Sequence, residues 1–181
     1  MLDARITERL LAQVHYAKKG LMLDTGHFMN SNYELETPAD ALAYLHQMLD
    51  EHEALLPMIR GIHLNQSLSG HYMKDYRKHP LIPKTDPTEL ATQTFLHIFQ
   101  VDQHGPFAAP GVRELVSRID PDYVTLEYIT RNRKEHAQFL KAGTDALKPV
   151  TTVRELAARS SASVSEKSWT TTGFCFQRWN K

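Results

Sequence analysis

Six side chains of types that bind metal ions lie at or just beyond the ends of short apolar runs. They are Asp24, His27, His63, Asp102, His104 and Glu127. Carboxylate oxygens and imidazole nitrogens are common ligands of divalent metals. In a parallel α/β barrel, side chains at the carboxyl ends of the strands converge on one face, so residues far apart in sequence can share one ion. The pattern therefore predicts a metal site.

The first three candidates also have ordinary structural interpretations. Asp24 and His27 can leave a strand end and reach into one pocket, with Gly26 permitting the turn between them. The alternative is that Asp24 caps a turn and His27 lies on the surface. His63 is either a ligand or a hydrogen-bonded core histidine, and without its neighbours the core role is the commoner one.

The later candidates are argued from spacing and from the cost of burial. Asp102 and His104 occupy alternate positions, so both can face one ion from an extended loop, although such pairs also arise by chance. Glu127 follows an apolar run, and a buried carboxylate must meet a cation, a proton or a strong donor. Pairing with Arg131 is one alternative. Metal ligation is favoured because the other candidates lie at equivalent strand ends.

Three short apolar runs precede these residues and are predicted to be buried parallel strands. They comprise residues 21–23, the run around Ile62, and residues 123–126. A glycine or a proline-containing turn lies in front of each, which is typical punctuation before a strand. The strand ends therefore supply Asp24, His63 and Glu127.

Amphipathic helices are predicted between the strands. Thr37, Asp86 and Asn132 each have an acidic residue three positions later, followed by apolar residues at helical spacing. An opening helix has Ile6 and Leu10 on one face. The order is helix, strand, helix, strand, helices, strand, helix, which implies a parallel sheet with right-handed crossovers.

The predicted fold class is α/β, a partial (β/α)8 barrel of about three parallel strands with flanking helices. A complete barrel takes roughly 250 residues, whereas the chain has 181. Residues 1–150 are expected to form the C-terminal portion of a barrel. Residues 151–181 have low periodicity and many hydroxyl side chains, so a loosely ordered tail is predicted there.

Composition narrows the classes of partner. The chain is 41% hydrophobic and 23% charged, with a formal net charge of zero. It is therefore expected to bury a core, and it lacks the basic balance of a nucleic-acid binder. Cys175 is the single cysteine, which fits a reducing compartment. With no apolar stretch of membrane length, a cytoplasmic protein without a membrane partner is predicted.

The candidates belong to four ordered motifs. The motifs are Leu23-Asp24-Thr25-Gly26-His27, Gly61-Ile62-His63-Leu64-Asn65, Asp102-Gln103-His104 and Thr125-Leu126-Glu127. Together they resemble the C-terminal half of the xylose isomerase-like barrel superfamily, over roughly residues 1–148. The superfamily includes sugar isomerases and epimerases, and endonuclease IV, a zinc enzyme that cuts DNA at abasic sites.

The resemblance to endonuclease IV implies two sets of zinc ligands. The first is Asp24, His63 and Glu127, and the second is His27, Asp102 and His104. In that family the first ion also takes a glutamate from the N-terminal half of the barrel, which this sequence does not match. Another aspartate and histidine, Asp75 and His79, compete for alignment with the later motif, but their spacing is helical.

The resemblance predicts a metal-dependent sugar or sugar phosphate isomerase or epimerase. Its cofactor is expected to be zinc or manganese, and Glu127 is the candidate catalytic carboxylate that moves a proton. The alternative is a zinc phosphodiesterase like endonuclease IV. A third possibility is a non-catalytic half barrel, completed by a partner chain or a second copy, because a half barrel leaves two sheet edges unpaired.

Overall fold

The computed structural model describes residues 3–149 and 175–178. Its central layer is a sheet in which the strands follow their order in the chain. The first three strands are mutually parallel, as the sequence predicted, and helices flank them. The strands are β1 (Leu21–Asp24), β2 (Ile59–Leu64), β3 (Tyr123–Leu126) and β4 (Cys175–Arg178).

The helices between the strands confirm the predicted alternation of an α/β fold. None in the described residues is long and apolar enough to cross a membrane. A 3-10 helix, Glu53–Met58, leads into β2. The α-helices are α1 (Ala4–Gln13), α2 (Thr25–Met29), α3 (Pro38–Glu51), α4 (Gly70–Lys78), α5 (Pro87–Val101), α6 (Val112–Ile119) and α7 (Arg133–Ala146).

Predicted helix starts are confirmed by their capping hydrogen bonds. The Thr37 hydroxyl accepts the backbone N–H of Asp40 at 3.2 Å, and the Asp40 carboxylate accepts the backbone N–H of Thr37 at 2.9 Å. The pKa of the Asp40 carboxyl lies below its usual value, chiefly because the Thr37 side chain donates a hydrogen bond to it and also because the Thr37 backbone N–H does so. At α5 and α7 the bond runs one way: Oδ1 of Asp86 accepts the backbone N–H of Glu89, and Oδ1 of Asn132 accepts that of Glu135.

Helices α2, α4 and α6 were not predicted individually, and each lacks the local signal that would have revealed it. Ser69 makes no side-chain capping hydrogen bond to α4. Helix α2 has only five residues, too few for a periodic apolar pattern. Helix α6 follows Gly111, which has a φ of +99° and gives no side-chain cap. Glycine tolerates this left-handed conformation, which most residues avoid.

The hydrophobic core lies on one face of the sheet, beneath α3 and α6. Leu45 and Leu49 of α3 and Leu115 of α6 are at most 1% exposed. They form one buried cluster with residues of the strands, which alternate from Ile62 to Leu64 and from Val124 to Leu126, whereas Ile59 and Ile62 are three positions apart at an irregularity in the pairing of β1 with β2. The strand residues of this cluster are Leu23, Ile59, Ile62, Leu64, Val124 and Leu126.

The opposite face of the sheet is partly exposed among the described residues, although Gly61 and Thr125 on it are buried. Met22, Gly61 and Tyr123 are register partners across the three parallel strands. Met22 is 52% exposed and Tyr123 is 53% exposed. Next along the strands lies the row of Asp24, His63 and Thr125. Along the strands, this face therefore carries a row with apolar side chains first and a row with two predicted ligands, Asp24 and His63, next.

Strand β4 was not predicted. It pairs antiparallel with β3, with Thr125 opposite Phe176, so the β3 edge that the sequence analysis expected to be unpaired has a neighbouring strand. The prediction of a loosely ordered tail otherwise concerns residues 151–174 and 179–181, which lie outside the described residues.

Candidate metal centre

Three predicted ligands meet at the carboxyl ends of the parallel strands. Asp24 is the last residue of β1, His63 is its register partner in β2, and Glu127 follows β3 directly. Nδ1 of His63 lies 3.6 Å from Oδ2 of Asp24 and 2.8 Å from Oε2 of Glu127. One ligand atom from each residue lies within 4.8 Å of the others, so the three side chains can surround one cation.

A second group adjoins the first and shares Asp24. One ligand atom from each of Asp24, His27 and His104 lies within 4.8 Å of the others. Asp102 contacts both imidazoles, since its Oδ2 lies 3.4 Å from Nε2 of His27 and 3.0 Å from Nε2 of His104. All six predicted side chains are therefore gathered at one edge of the sheet. The two sets suggested by the resemblance are merged there through Asp24.

Asp24 combines two roles that the sequence analysis treated as alternatives. Its Oδ1 accepts the backbone N–H of His27 at 3.2 Å and so caps α2. Its Oδ2 faces His63. His27 is largely exposed, as the surface interpretation expected, yet its ring reaches back towards Asp102. Helix capping therefore fixes the carboxylate with one oxygen free to face the cluster.

A buried asparagine supports this carboxylate from β2. Asn65 is fully buried, and its Nδ2 donates to Oδ1 of Asp24 at 3.1 Å. The Thr25 hydroxyl donates to the Asn65 carbonyl at 2.6 Å and accepts the Asn65 N–H at 3.0 Å. A Cβ on Gly26 would lie 2.1 Å from Oδ1 of Asn65. The predicted turn role of Gly26 is wrong, because Gly26 lies within α2 and permits this close approach.

The loop that carries the later motif is pinned to the end of β2. Gln66 and Gly105 exchange two backbone hydrogen bonds, of 2.8 and 2.9 Å. The Ser67 hydroxyl accepts the N–H of His104 at 3.3 Å. His104 has a φ of +46°, a left-handed conformation that costs a non-glycine residue roughly 1–2 kcal/mol. Such strain at a cluster of polar groups is typical of functional sites.

Three further residues that the sequence analysis did not assign to the site position its ligands. The Ser67 hydroxyl and Nδ2 of Asn30 each donate to Oδ1 of Asp102 at 3.4 Å, and Asn65 holds Asp24. Asn65 and Ser67 continue the alternation that begins at His63, which is a weak sequence signal. Asn30 has no such signal, because its contact depends on the direction of α2.

The carboxylates of the cluster have histidines as their ion-pair partners within the described part of the chain. The alternative prediction, that Glu127 pairs with Arg131, is wrong, since Arg131 pairs with Glu135 at 2.7 Å. That hydrogen bond raises the pKa of Arg131 and lowers the pKa of Glu135. The competing pair, Asp75 and His79, lies exposed on and just after α4, 3.2 Å apart.

The donor set fits a divalent metal ion. Asp24, Asp102 and Glu127 bring negative charge to one place, and imidazoles lie between them. Nδ1 of His104 is buried without a hydrogen-bond partner among the described residues, and Oε2 of Glu127 is 3.8 Å away. Buried polar atoms without a partner are uncommon. A cation would satisfy both the carboxylates and the imidazoles.

The cluster lines an open cavity of about 560 Å³. Helix α5 and the segment after β3 supply the rest of its wall, with Ile98, Phe99, Tyr128 and Ile129. No protein-family model, curated protein or solved structure matches this chain.

Proposed function

We propose that this chain is the metal-binding portion of a sugar isomerase or epimerase of the xylose isomerase-like superfamily. Asp24, His63 and Glu127 would hold zinc or manganese. The observation that carries the proposal is the convergence of these residues at the carboxyl ends of adjacent parallel strands. That edge is where α/β barrels carry their active sites.

Proton transfer in this proposal falls to Glu127. A divalent cation, when bound, supplies Lewis acidity that polarises a substrate carbonyl. Glu127 is part of the cavity wall and is 29% exposed, so a substrate can reach its carboxylate. The carboxylate would remove the C–H proton from the hydroxyl-bearing carbon next to the carbonyl and return it to the former carbonyl carbon, through an enediolate. The hydroxyl proton would move to the former carbonyl oxygen, so that the carbonyl group shifts by one carbon. Ligation through Oε2, which lies 2.8 Å from Nδ1 of His63, would leave Oε1 of Glu127 for the proton transfer.

The isomerase proposal is tested by proton exchange with solvent. Protein loaded with Mn²⁺ or Zn²⁺ is incubated with D-xylose or D-fructose in D₂O, and loss of the C–H signal next to the carbonyl is followed by NMR. Exchange is expected to be slow, because the open cavity does not exclude water. Glu127→Gln is expected to slow it at least about 100-fold. His79→Ala, outside the cluster, should match the wild type, and no exchange by any loaded sample contradicts the proposal.

The second candidate function is a zinc phosphodiesterase like endonuclease IV. It is favoured by the second ligand group, because adjacent ions can stabilise the attacking and leaving oxygens of a phosphodiester. The zinc-loaded protein would then cleave duplex DNA at an abasic site, and a chelator would abolish the cleavage. Cleavage without sugar proton exchange would replace the first proposal with this one.

We also propose that the chain is an incomplete barrel that another polypeptide completes. Met22 and Tyr123 lie half exposed on the open sheet face. The apolar side of α1 is exposed as well, with Ile6 at 60% and Leu10 at 59%. An amphipathic helix and a sheet face normally bury such residues against neighbouring elements. Both features suit a surface that receives further strands and helices.

The incomplete-barrel proposal predicts that the isolated chain associates or binds a hydrophobic dye. The double substitution Met22→Ser and Tyr123→Ser should lower dye fluorescence several-fold, because it removes exposed apolar area. Val14→Ser is a milder comparison on the α1 side. A protein that is monomeric by light scattering and does not increase the fluorescence of the dye would contradict the proposal.

A further inference from the structure

Helix α5 turns a partly polar stripe towards the rest of the described chain and most of its apolar side chains towards solvent. None of its 15 residues is buried. Gln93, His97 and Val101 are partly covered, and the other residues of the helix are exposed. These three recur every four positions, so they lie on one side of the helix. An amphipathic helix of a globular protein normally does the reverse and buries its apolar side.

Hydrogen bonds fix which side of α5 faces the chain. The Tyr72 hydroxyl of α4 lies 2.7 Å from Nδ1 of His97. The Gln93 side chain donates to the carbonyl of Ile82 at 3.0 Å and accepts the N–H of Lys84 at 3.2 Å. The segment before α5 is therefore attached beside the same stripe. With these partners made, the apolar side of the helix is left facing outwards.

The outward side carries a large apolar surface. Phe95 is 59% exposed, Leu96 is 61% exposed and Leu90 is 40% exposed. The attached segment adds Leu81 at 45% and Ile82 at 86%. These five side chains form the α5 apolar face. Soluble proteins rarely leave an apolar patch of more than a few hundred Å² uncovered, and such a patch commonly marks an interaction surface.

The area of the α5 apolar face suits a protein dimer. Large side chains bury about 150–250 Å² each when they are fully covered, so the exposed fractions of the five amount to roughly 550 Å². A stable complex buries about 800 Å² on each partner, of which about 60% is apolar. The five side chains therefore supply the apolar part of one such interface, and a second copy would bring the same area.

The charges of this region favour a second copy over a polyanion. The sequence of α5 contains one acidic residue, Glu89, and no lysine or arginine. The nearby Lys84 lies 3.8 Å from Glu89. The chain has a formal net charge of zero, so two copies do not repel each other through net charge. A nucleic acid or an anionic membrane would instead need a basic surface.

We propose that the α5 apolar face is the docking site for a second copy of this chain. The two α5 helices pack antiparallel across a two-fold axis. In such an interface each copy uses the same surface, so association stops at two chains. The dimer does not depend on the metal or on the reaction. It also uses a different surface from the open sheet face, where Met22 and Tyr123 lie.

The inference is tested by the molar mass of the full chain over a range of concentrations, from sedimentation or light scattering. A dimer with a Kd of about 10 µM or below is expected. Phe95→Glu combined with Leu96→Glu should weaken it at least about 100-fold, because like charges then meet in the interface. The milder pair Phe95→Ser and Leu96→Ser should weaken it about 10-fold. Circular dichroism should show the helix content of the wild type, since both side chains are exposed.

A matched control is available on α1, where Ile6 and Leu10 are 60% and 59% exposed. Ile6→Glu combined with Leu10→Glu should leave the dimer intact. Met22→Ser with Tyr123→Ser, which removes association through the open sheet face, should also keep it. In that background, a monomer at every concentration or an assembly larger than two would overturn the inference. Equal loss of the dimer in the α1 pair would overturn it as well, and binding of a monomer to anionic lipid vesicles would assign the face to a membrane instead.

Discussion

Replacing His63 with alanine is expected to weaken divalent-metal binding more than about 100-fold, beyond the usual cost of removing a supporting group. Its Nδ1 lies between Oδ2 of Asp24 and Oε2 of Glu127, at 3.6 and 2.8 Å. Without the imidazole, these two carboxylates lose their shared partner. The ion would then be held by two carboxylates in place of three ligands, so the expected loss of affinity comes from the missing imidazole nitrogen.

The metal prediction is measured by elemental analysis after dialysis and by calorimetric titration with Zn²⁺ or Mn²⁺. His79→Ala is the matched control, since His79 lies 3.2 Å from Asp75 in an exposed pair outside the cluster. It should bind metal as the wild type does. If His63→Ala and His79→Ala keep equal, wild-type metal content, the cluster does not hold the ion.

Replacing Gly26 with alanine is expected to disturb both stability and the metal centre. Alanine in the interior of a helix is ordinarily favoured over glycine by about 1 kcal/mol. Here its Cβ would lie 2.1 Å from Oδ1 of Asn65 and 2.9 Å from Oγ of Ser67. Overpacking of a buried site of this kind commonly costs about 1–3 kcal/mol. The cost of the clash is therefore expected to exceed the gain in helix propensity, and Asn65 is expected to be displaced.

Displacing Asn65 removes the hydrogen bond that its Nδ2 donates to Asp24. Groups that orient a metal ligand commonly contribute about 10- to 100-fold in affinity. Gly26→Ala is therefore expected to lower both the denaturant midpoint and the Mn²⁺ affinity. Gly105→Ala is the control, since a Cβ there would meet only Gln66 O, at 3.5 Å. A Gly26→Ala protein as stable as the wild type would show that the Asn65 contact is not tight in solution.

The spacing of apolar runs was sufficient to predict which residues would gather. Asp24, His63 and Glu127 each end or follow a strand. Parallel strands in register bring such ends to one edge regardless of what lies between them. The prediction required the residue types and the alternation of strands and helices, both of which are properties of the sequence.

The contacts that orient the ligands could not be predicted from the sequence. The hydrogen bond from Asn65 to Asp24 spans 41 residues, and that from Asn30 to Asp102 spans 72. Asn65 has only the weak signal of its alternation with His63, and Asn30 has no local signal for its partner. The left-handed backbone of His104 depends in turn on the bridge between Gln66 and Gly105, which forms only when the loop reaches the end of β2.

The sequence alone determined the helix starts at Thr37, Asp86 and Asn132, the three parallel strands and the kinds of ligand. Capping hydrogen bonds join residues at most four positions apart, and the parallel direction of the strands follows from their alternation with helices. Tertiary structure decided that Asp24 is shared by two ligand groups, that Asp102 contacts two imidazoles, and that Phe99 lines the same cavity. These relations depend on strand register and on the path of α5, which are set by packing between distant parts of the chain.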